Sequence, residues 1–316
     1  MFYFWNYRHF TVFKPKLKKM TKKLLIPVFV IVLTANACTG NNKVSDDAKV
    51  VVTKEQRFGY MTWKIQAANG IWHYEIENVK TGERSTGFNS AIDKEGNDWI
   101  ANNCVGMKEW RGWPNFGSDG FGHPCRGGDG QSRWLNPDGQ PLEFEDKLIG
   151  DHLILESWND RFKLRYHFFP GHAAIEIIEA NDLYSFLWEG PIAGEMKVEQ
   201  QYYFIEDGIQ RNIAFNTGLG YLEPEFGRNF PSPFFYFTDD EAEQIVYIGV
   251  KNQSEGGDEG WCQPGNMVIF SFGRENDERA LFGTDAISVF GFLDKDIGHE
   301  GISSFINDRL DDPFKL

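Results

Sequence analysis

The stretch Phe162–Phe169 reads FKLRYHFF, and it limits the fold more tightly than any other part of the chain. Phe162, Leu164, Tyr166 and Phe168 recur at period two, with Lys163, Arg165 and His167 between them. Period two is the side-chain repeat of a β-strand with one face in a core and the other polar, and it does not fit a helix of 3.6 residues per turn. Pro170–Gly171 then turns the chain and Ala174–Ile178 runs back, so a hairpin is expected here.

The same signal recurs along the chain. Strands are expected at Ile71–Val79, at Leu142–Phe144 leading into Lys147–Ile149, and at Leu153–Trp158. Val198–Ile205 alternates, with Val198, Tyr202 and Phe204 on one face and Glu199, Gln201, Tyr203 and Ile205 on the other. Further strands are expected at Phe234–Phe237, Ile245–Val250, Met267–Phe272 and Ile287–Leu293, and a short helix at Gly301–Leu310. Consecutive strands with frequent turns predict an all-β fold, a large antiparallel β-sandwich or curved double sheet with one long aromatic Gly-rich loop. Polar faces on core-bearing strands point to a concave, solvent-facing sheet. Residues 55–316 are long enough for one such domain.

The first residues have a different character. Lys18, Lys19, Lys22 and Lys23 precede the apolar run Leu24–Leu33, which leads into TANAC with Cys38. Charge, a short apolar run, small residues and a cysteine form a signal peptide with a lipobox. The run is shorter than the roughly 20 residues a spanning helix needs. Residues 1–37 are therefore expected to be an export signal, with Met20 the better start, and Cys38 the lipid-modified residue of an outer-membrane-anchored lipoprotein. An uncleaved anchor is the alternative. Residues 38–54 are read as a flexible tether.

Residues 1–37 hold seven Lys/Arg and no acid, so the remainder carries 25 Lys/Arg against 46 Asp/Glu, a net charge of −21. Such a chain repels nucleic acid at long range, and an anionic saccharide requires a local collection of positive charge. Cys104 and Cys125 can close a disulfide in an oxidising compartment, leaving Cys262 free. No metal-ligand spacing, phosphate loop, GxSxG elbow or full calcium loop is present, so neither metal nor cofactor is expected. The chain is expected to act as a monomer.

Two constellations could carry chemistry. The stretch 97–134 is Gly-rich and offers Glu109, Arg111, Asn115, Asp119, His123 and Arg126 among Trp99, Trp110, Trp113, Phe121 and Trp134. Aromatic rings suit the C–H faces of pyranoses, and arginine suits carboxylate or sulfate. A stapled loop covering a sheet edge is the structural alternative. The second constellation is Lys163, Arg165 and His167 on one strand with Glu199, Gln201 and Tyr203 on another. Its alternative is a solvated face with cross-strand ion pairs such as Arg165–Glu199.

Elimination from a uronate needs a group to neutralise the carboxylate, a base for the C5 proton and an acid for the leaving oxygen. Arg111 or Arg165, His123 or His167, and Tyr203 supply that set. Glu109, Trp110, Trp113, Asn115, Arg126, Lys163, Glu199 and Gln201 are the expected substrate contacts. Two other readings are a glycoside hydrolase using Glu109 and Glu199, and a non-catalytic surface glycan-binding lipoprotein.

The series NDWI at Asn97–Ile100, EWRGWPN at Glu109–Asn115, GHP at Gly122–Pro124 and FSFGR at Phe270–Arg274 resembles a group of secreted lipoproteins from bacterial polysaccharide-utilisation systems. The group carries F-H-P where this chain has GHP. The resemblance spans about Trp63 to Leu310, and within it the ulvan-oligosaccharide dehydratase type is similar. It implies a carbon–oxygen lyase acting on short uronate-containing oligosaccharides such as those from ulvan.

Overall fold

The computed structural model describes residues 48–102, 111–116, 121–125, 129–215, 229–252, 257–275 and 278–316. Cys38, Cys104, Glu109, Trp110, Asp119 and Arg126 lie outside these residues. All three multi-stranded sheets are antiparallel. One has nine strands, in the spatial order Arg211–Asn212, Gln201–Phe204, Phe234–Asp239, Gln244–Lys251, Ile287–Asp294, Ala173–Ala180, Phe162–Phe168, Leu153–Trp158, Gln131–Leu135. A five-stranded sheet runs Phe88–Ile92, Gly70–Asn78, Tyr60–Ala67, Val50–Arg57, Lys147–Gly150. A four-stranded sheet runs Asp258–Gln263, Met267–Phe272, Tyr184–Gly190, Asn115–Phe116.

The five- and four-stranded sheets are joined by single bridges, Phe88 to Trp113 and Gly112 to Glu189. Together they face the nine-stranded sheet across one aromatic core. Trp72 meets Phe290 at 4.9 Å between ring centroids, Tyr74 meets Tyr166 at 5.4 Å, and Phe235 meets Phe270 at 4.5 Å. Each fully buried ring of this size contributes roughly 1.5–3 kcal/mol. The β-sandwich expected from the alternation is the observed fold.

The expected hairpin forms as Phe162–Phe168 and Ala173–Ala180, with Phe162, Leu164, Tyr166 and Phe168 in the core. Met267–Phe272 matches its expected bounds. Residues 142–144 form no strand, and the 147 strand begins alone. The first strand starts at Val50, inside the segment read as tether, because Val50 and Val52 are fully buried. On the far face of the nine-stranded sheet lies α1, Gly298–Asp311. It seats Ile302, Ile306 and Leu310 on Tyr236, Ile245, Tyr247 and Val289.

Candidate functional site

The joined five- and four-stranded sheets bury their apolar side chains inward, which leaves polar ones on the outer face. Along Tyr184–Gly190, Phe186 and Trp188 enter the main core, whereas Leu187 belongs to a separate small cluster with Trp261, Met267 and Ile269. Register places Glu189 beside Ile269, and Ile269 beside Trp261. In the next row Leu187 pairs with Ser271 and Ser271 with Glu259. An indole and two carboxylates thus share the outer face.

Residues 121–125 are fitted against this face. Gly122 N–H donates to Thr86 Oγ1 at 2.8 Å. Gly87 has φ +99°, and a Cβ there would sit 2.0 Å from Gly122 O. A Cβ on Gly112 would sit 2.3 Å from the Pro124 ring. Only residues without a side chain allow these approaches. They deliver His123 to Glu189. His123 Nε2 lies 2.7 Å from Glu189 Oε2, and Nδ1 lies 2.8 Å from Pro124 O. A carbonyl cannot donate, so Nδ1 carries a proton, and the His123–Glu189 contact requires one more proton shared between the two groups.

Glu75 completes the cluster from the Gly70–Asn78 strand. It is fully buried, and it accepts from Ser85 Oγ at 2.5 Å, Asn89 Nδ2 at 2.9 Å and Cys125 N–H at 2.8 Å. Burial pushes its pKa up from 4.5 to about 7, against the lowering pull of those three donors and of nearby His123. A carboxyl half-protonated near neutrality can both give and take a proton.

Arginines tie together the segments around these strands. Arg111 donates from Nη2 to Asn266 Oδ1 at 2.6 Å and Asn266 O at 2.9 Å, and its neighbour Gly112 pairs with Glu189. Arg279 donates to Asn115 Oδ1 at 3.2 Å. Arg274 lies 3.5 Å from Glu259 and over the Trp261 ring. Further along, Arg57 pairs with Asp98 at 2.7 Å, and His73 with Glu55 at 2.7 Å. Asp98 belongs to the NDWI motif, which therefore fixes a bend: Asp98 Oδ1 accepts from Ala91, Ile100 and Ala101 N–H.

Of the expected site residues, His123 meets Glu189 on this face, Asn115 lies on the strand beside it, and Arg111 precedes Gly112, which bridges to Glu189. The others do not join them. Trp113 is a core residue, packed on Phe186 and Trp188. Tyr203 is fully buried against Phe270, and Gln201 holds the 192–195 turn and Asp239. Their strand therefore shows Gln201 and Tyr203 inward, the reverse of the polar face expected. Glu199 is exposed in a turn. Lys163, Arg165 and His167 stand on the outer face of the opposite sheet. There Arg165 and Arg133 clasp buried Glu156 at 3.0 and 2.5 Å, and His167 meets Glu176 at 3.2 Å. This is the cross-strand ion-pair alternative, with Glu156 rather than Glu199 as partner.

Cys125 is disulfide-bonded, its partner lying outside the described residues, and Cys262 is free and buried. Among the described residues no cluster of three or more His, Cys, Asp or Glu is arranged to hold a metal, and no helix is long and apolar enough to cross a membrane.

No protein-family model matches the chain, and no curated protein matches it in sequence. Solved structures superpose on it only at low scores. The HI1317 protein superposes with TM-score 0.43 at 10% identity, over 77% of this chain and 96% of its own. A galactose mutarotase-like protein from Clostridium acetobutylicum superposes with TM-score 0.40 at 8% identity, over 77% of this chain and 97% of its own. At such scores the likeness says nothing about the chemistry of the site.

Proposed function

We propose that the chain is a carbohydrate-active enzyme, a carbon–oxygen lyase of the dehydratase or β-elimination type. Its substrate is a short uronate-bearing oligosaccharide, such as those from ulvan, and the chain works in polysaccharide breakdown as an outer-membrane lipoprotein anchored at Cys38. The reading is carried by Glu75, a buried carboxyl raised to about 7 and set beside a histidine that shares a proton with a second carboxylate.

In this reading Glu189, held at Oε2 by the His123 Nε2–H, takes the C5 proton on its carboxylate. The C–H electrons form the C4–C5 double bond, the C4–O bond breaks, and Glu75 protonates the leaving oxygen. When that oxygen leaves as water, the product is lighter by 18 mass units. Arg111 neutralises the uronate carboxylate and so lowers the barrier to C5 deprotonation. Trp261 offers a flat ring to the sugar's apolar face.

Burial favours one second reading. His123 and Glu75 are 1% and 0% exposed, as expected of a polar latch in a non-catalytic glycan-binding lipoprotein. Mass spectrometry of a uronate-oligosaccharide panel separates the two. The lyase reading expects an alkene-bearing product from the native chain, and none from folded Glu75→Gln or His123→Asn. Binding without any product, unchanged in both variants, supports the latch.

A further inference from the structure

We propose that residues 312–316, which follow α1, form an acid-released clasp closed on a histidine stack at the outer face of the nine-stranded sheet. The inference does not depend on the carbohydrate reading, because the stack lies on the opposite sheet from Glu75 and His123.

The stack is continuous. His152 lies on Phe169 at 4.3 Å, and Phe169 lies on His172 at 4.4 Å with rings 9° from parallel. His152 Nε2 is 3.0 Å from His167 Nδ1, and His167 Nε2 is 3.2 Å from Glu176. The segment after α1 closes over it. His172 Nε2 donates to Pro313 O at 3.1 Å, and Phe314 packs on His167 at 4.5 Å.

Two features make this closure proton-sensitive. The His152–His167 bond needs a lone pair on one ring, so it fails when both rings are protonated. His172 is buried, with Arg309 of α1, His152 and His167 as its charged or titratable neighbours; burial and the Arg309 charge disfavour a proton there and outweigh the bond to Pro313 O, which favours one. Glu176, itself beside Arg165, is held below the ordinary carboxylate range chiefly by its bond from His167, and His167 in turn disfavours a proton on His152.

The sign follows from linkage. The closed state holds His172 down from 6.5 to about 3, and His152 down to about 4, both chiefly through burial. Closure is therefore fully favoured above pH 6.5 and is weakened as pH falls from there toward the depressed values. Freeing one such histidine raises the opening constant roughly thirtyfold between pH 8 and pH 5.

Hydrogen–deuterium exchange of residues 312–316 in the full chain, corrected for intrinsic rates, tests this. Opening is expected to rise roughly thirtyfold from pH 8 to pH 5. Residues 245–250 should stay protected at both pH values, and the rise should be lost in His172→Gln, which keeps the donor to Pro313 O. Should that variant not fold, histidine NMR of a chain ending at Asp312 replaces it. His172 then titrates near the ordinary histidine range there, and far below it in the full chain. Equal protection at both pH values, uniform loosening of the whole domain, or identical His172 titration with and without residues 313–316 overturns the proposal.

Discussion

Burying a carboxyl among apolar neighbours disfavours its charged form, whereas bonds from N–H and O–H groups favour that form. At Glu75 burial outweighs three donors, and the group rests at about 7. The folded state therefore binds this proton more tightly than the unfolded chain does. Its contribution to stability is fully present below pH 4.5 and is lost as pH rises through 7. Relative to Glu75→Gln, the native chain is expected to lose stability between those limits, on the order of 3 kcal/mol in all. Urea titrations of both proteins at several pH values measure it; parallel curves contradict the assignment. Glu75 was hard to see in HYEIEN, where it reads as an ordinary outward charge between apolar residues. Its cover arrives from residues 121–125, and no local pattern announces a contact across such a separation. Arg111 and His123 stand out in the sequence because they sit in a run too rich in glycine and aromatics for regular structure. Tyr203 was misplaced for a local reason. Tyr202 and Tyr203 are both aromatic, so alternation alone does not say which faces the core.

At the scale of elements, the alternating strands were readable wherever one face is plainly apolar, as in Phe162–Phe168 and Met267–Phe272. Val50–Arg57 was missed because VVVTKEQR follows a polar run and has only two buried anchors, Val50 and Val52. The bridges at Phe88–Trp113 and Gly112–Glu189 join two sheets through a segment with almost no strand of its own, and these had no sequence signature. That join has a mechanical consequence. Gly112 lets the Pro124 ring approach closely, so Gly112→Ala must displace the ring by more than an ångström or shift the strand. Overpacking of this kind costs about 1–3 kcal/mol. The variant is expected to keep its β circular-dichroism spectrum while losing turnover, because His123 moves off Glu189. Turnover equal to that of the native chain shows that the 121–125 fit does not govern the site.

For the whole molecule, the two proposals fall on two polar faces. The outer face of the joined sheets carries Glu75, His123 and Glu189. The far face of the other sheet carries ion pairs around Glu156, the helix α1 and the histidine stack. An anionic chain can still accept an anionic saccharide if its cations are collected at one place. The export reading belongs at this scale as well. Mass spectrometry of protein recovered from membranes is expected to find Cys38 as a lipid-bearing N-terminus, and Cys38→Ala is expected to leave the membrane fraction. A native chain that begins before residue 38 and carries no lipid contradicts it.

The central claim is that Glu75, His123 and Glu189 form a proton-transferring saccharide site. The side-chain carboxyl carbon of Glu75, followed by NMR as pH is varied, tests it most directly. The account predicts a titration centred near 7 that disappears in Glu75→Gln and moves when a uronate oligosaccharide is added. A midpoint in the ordinary carboxylate range, indifferent to the saccharide, would contradict it.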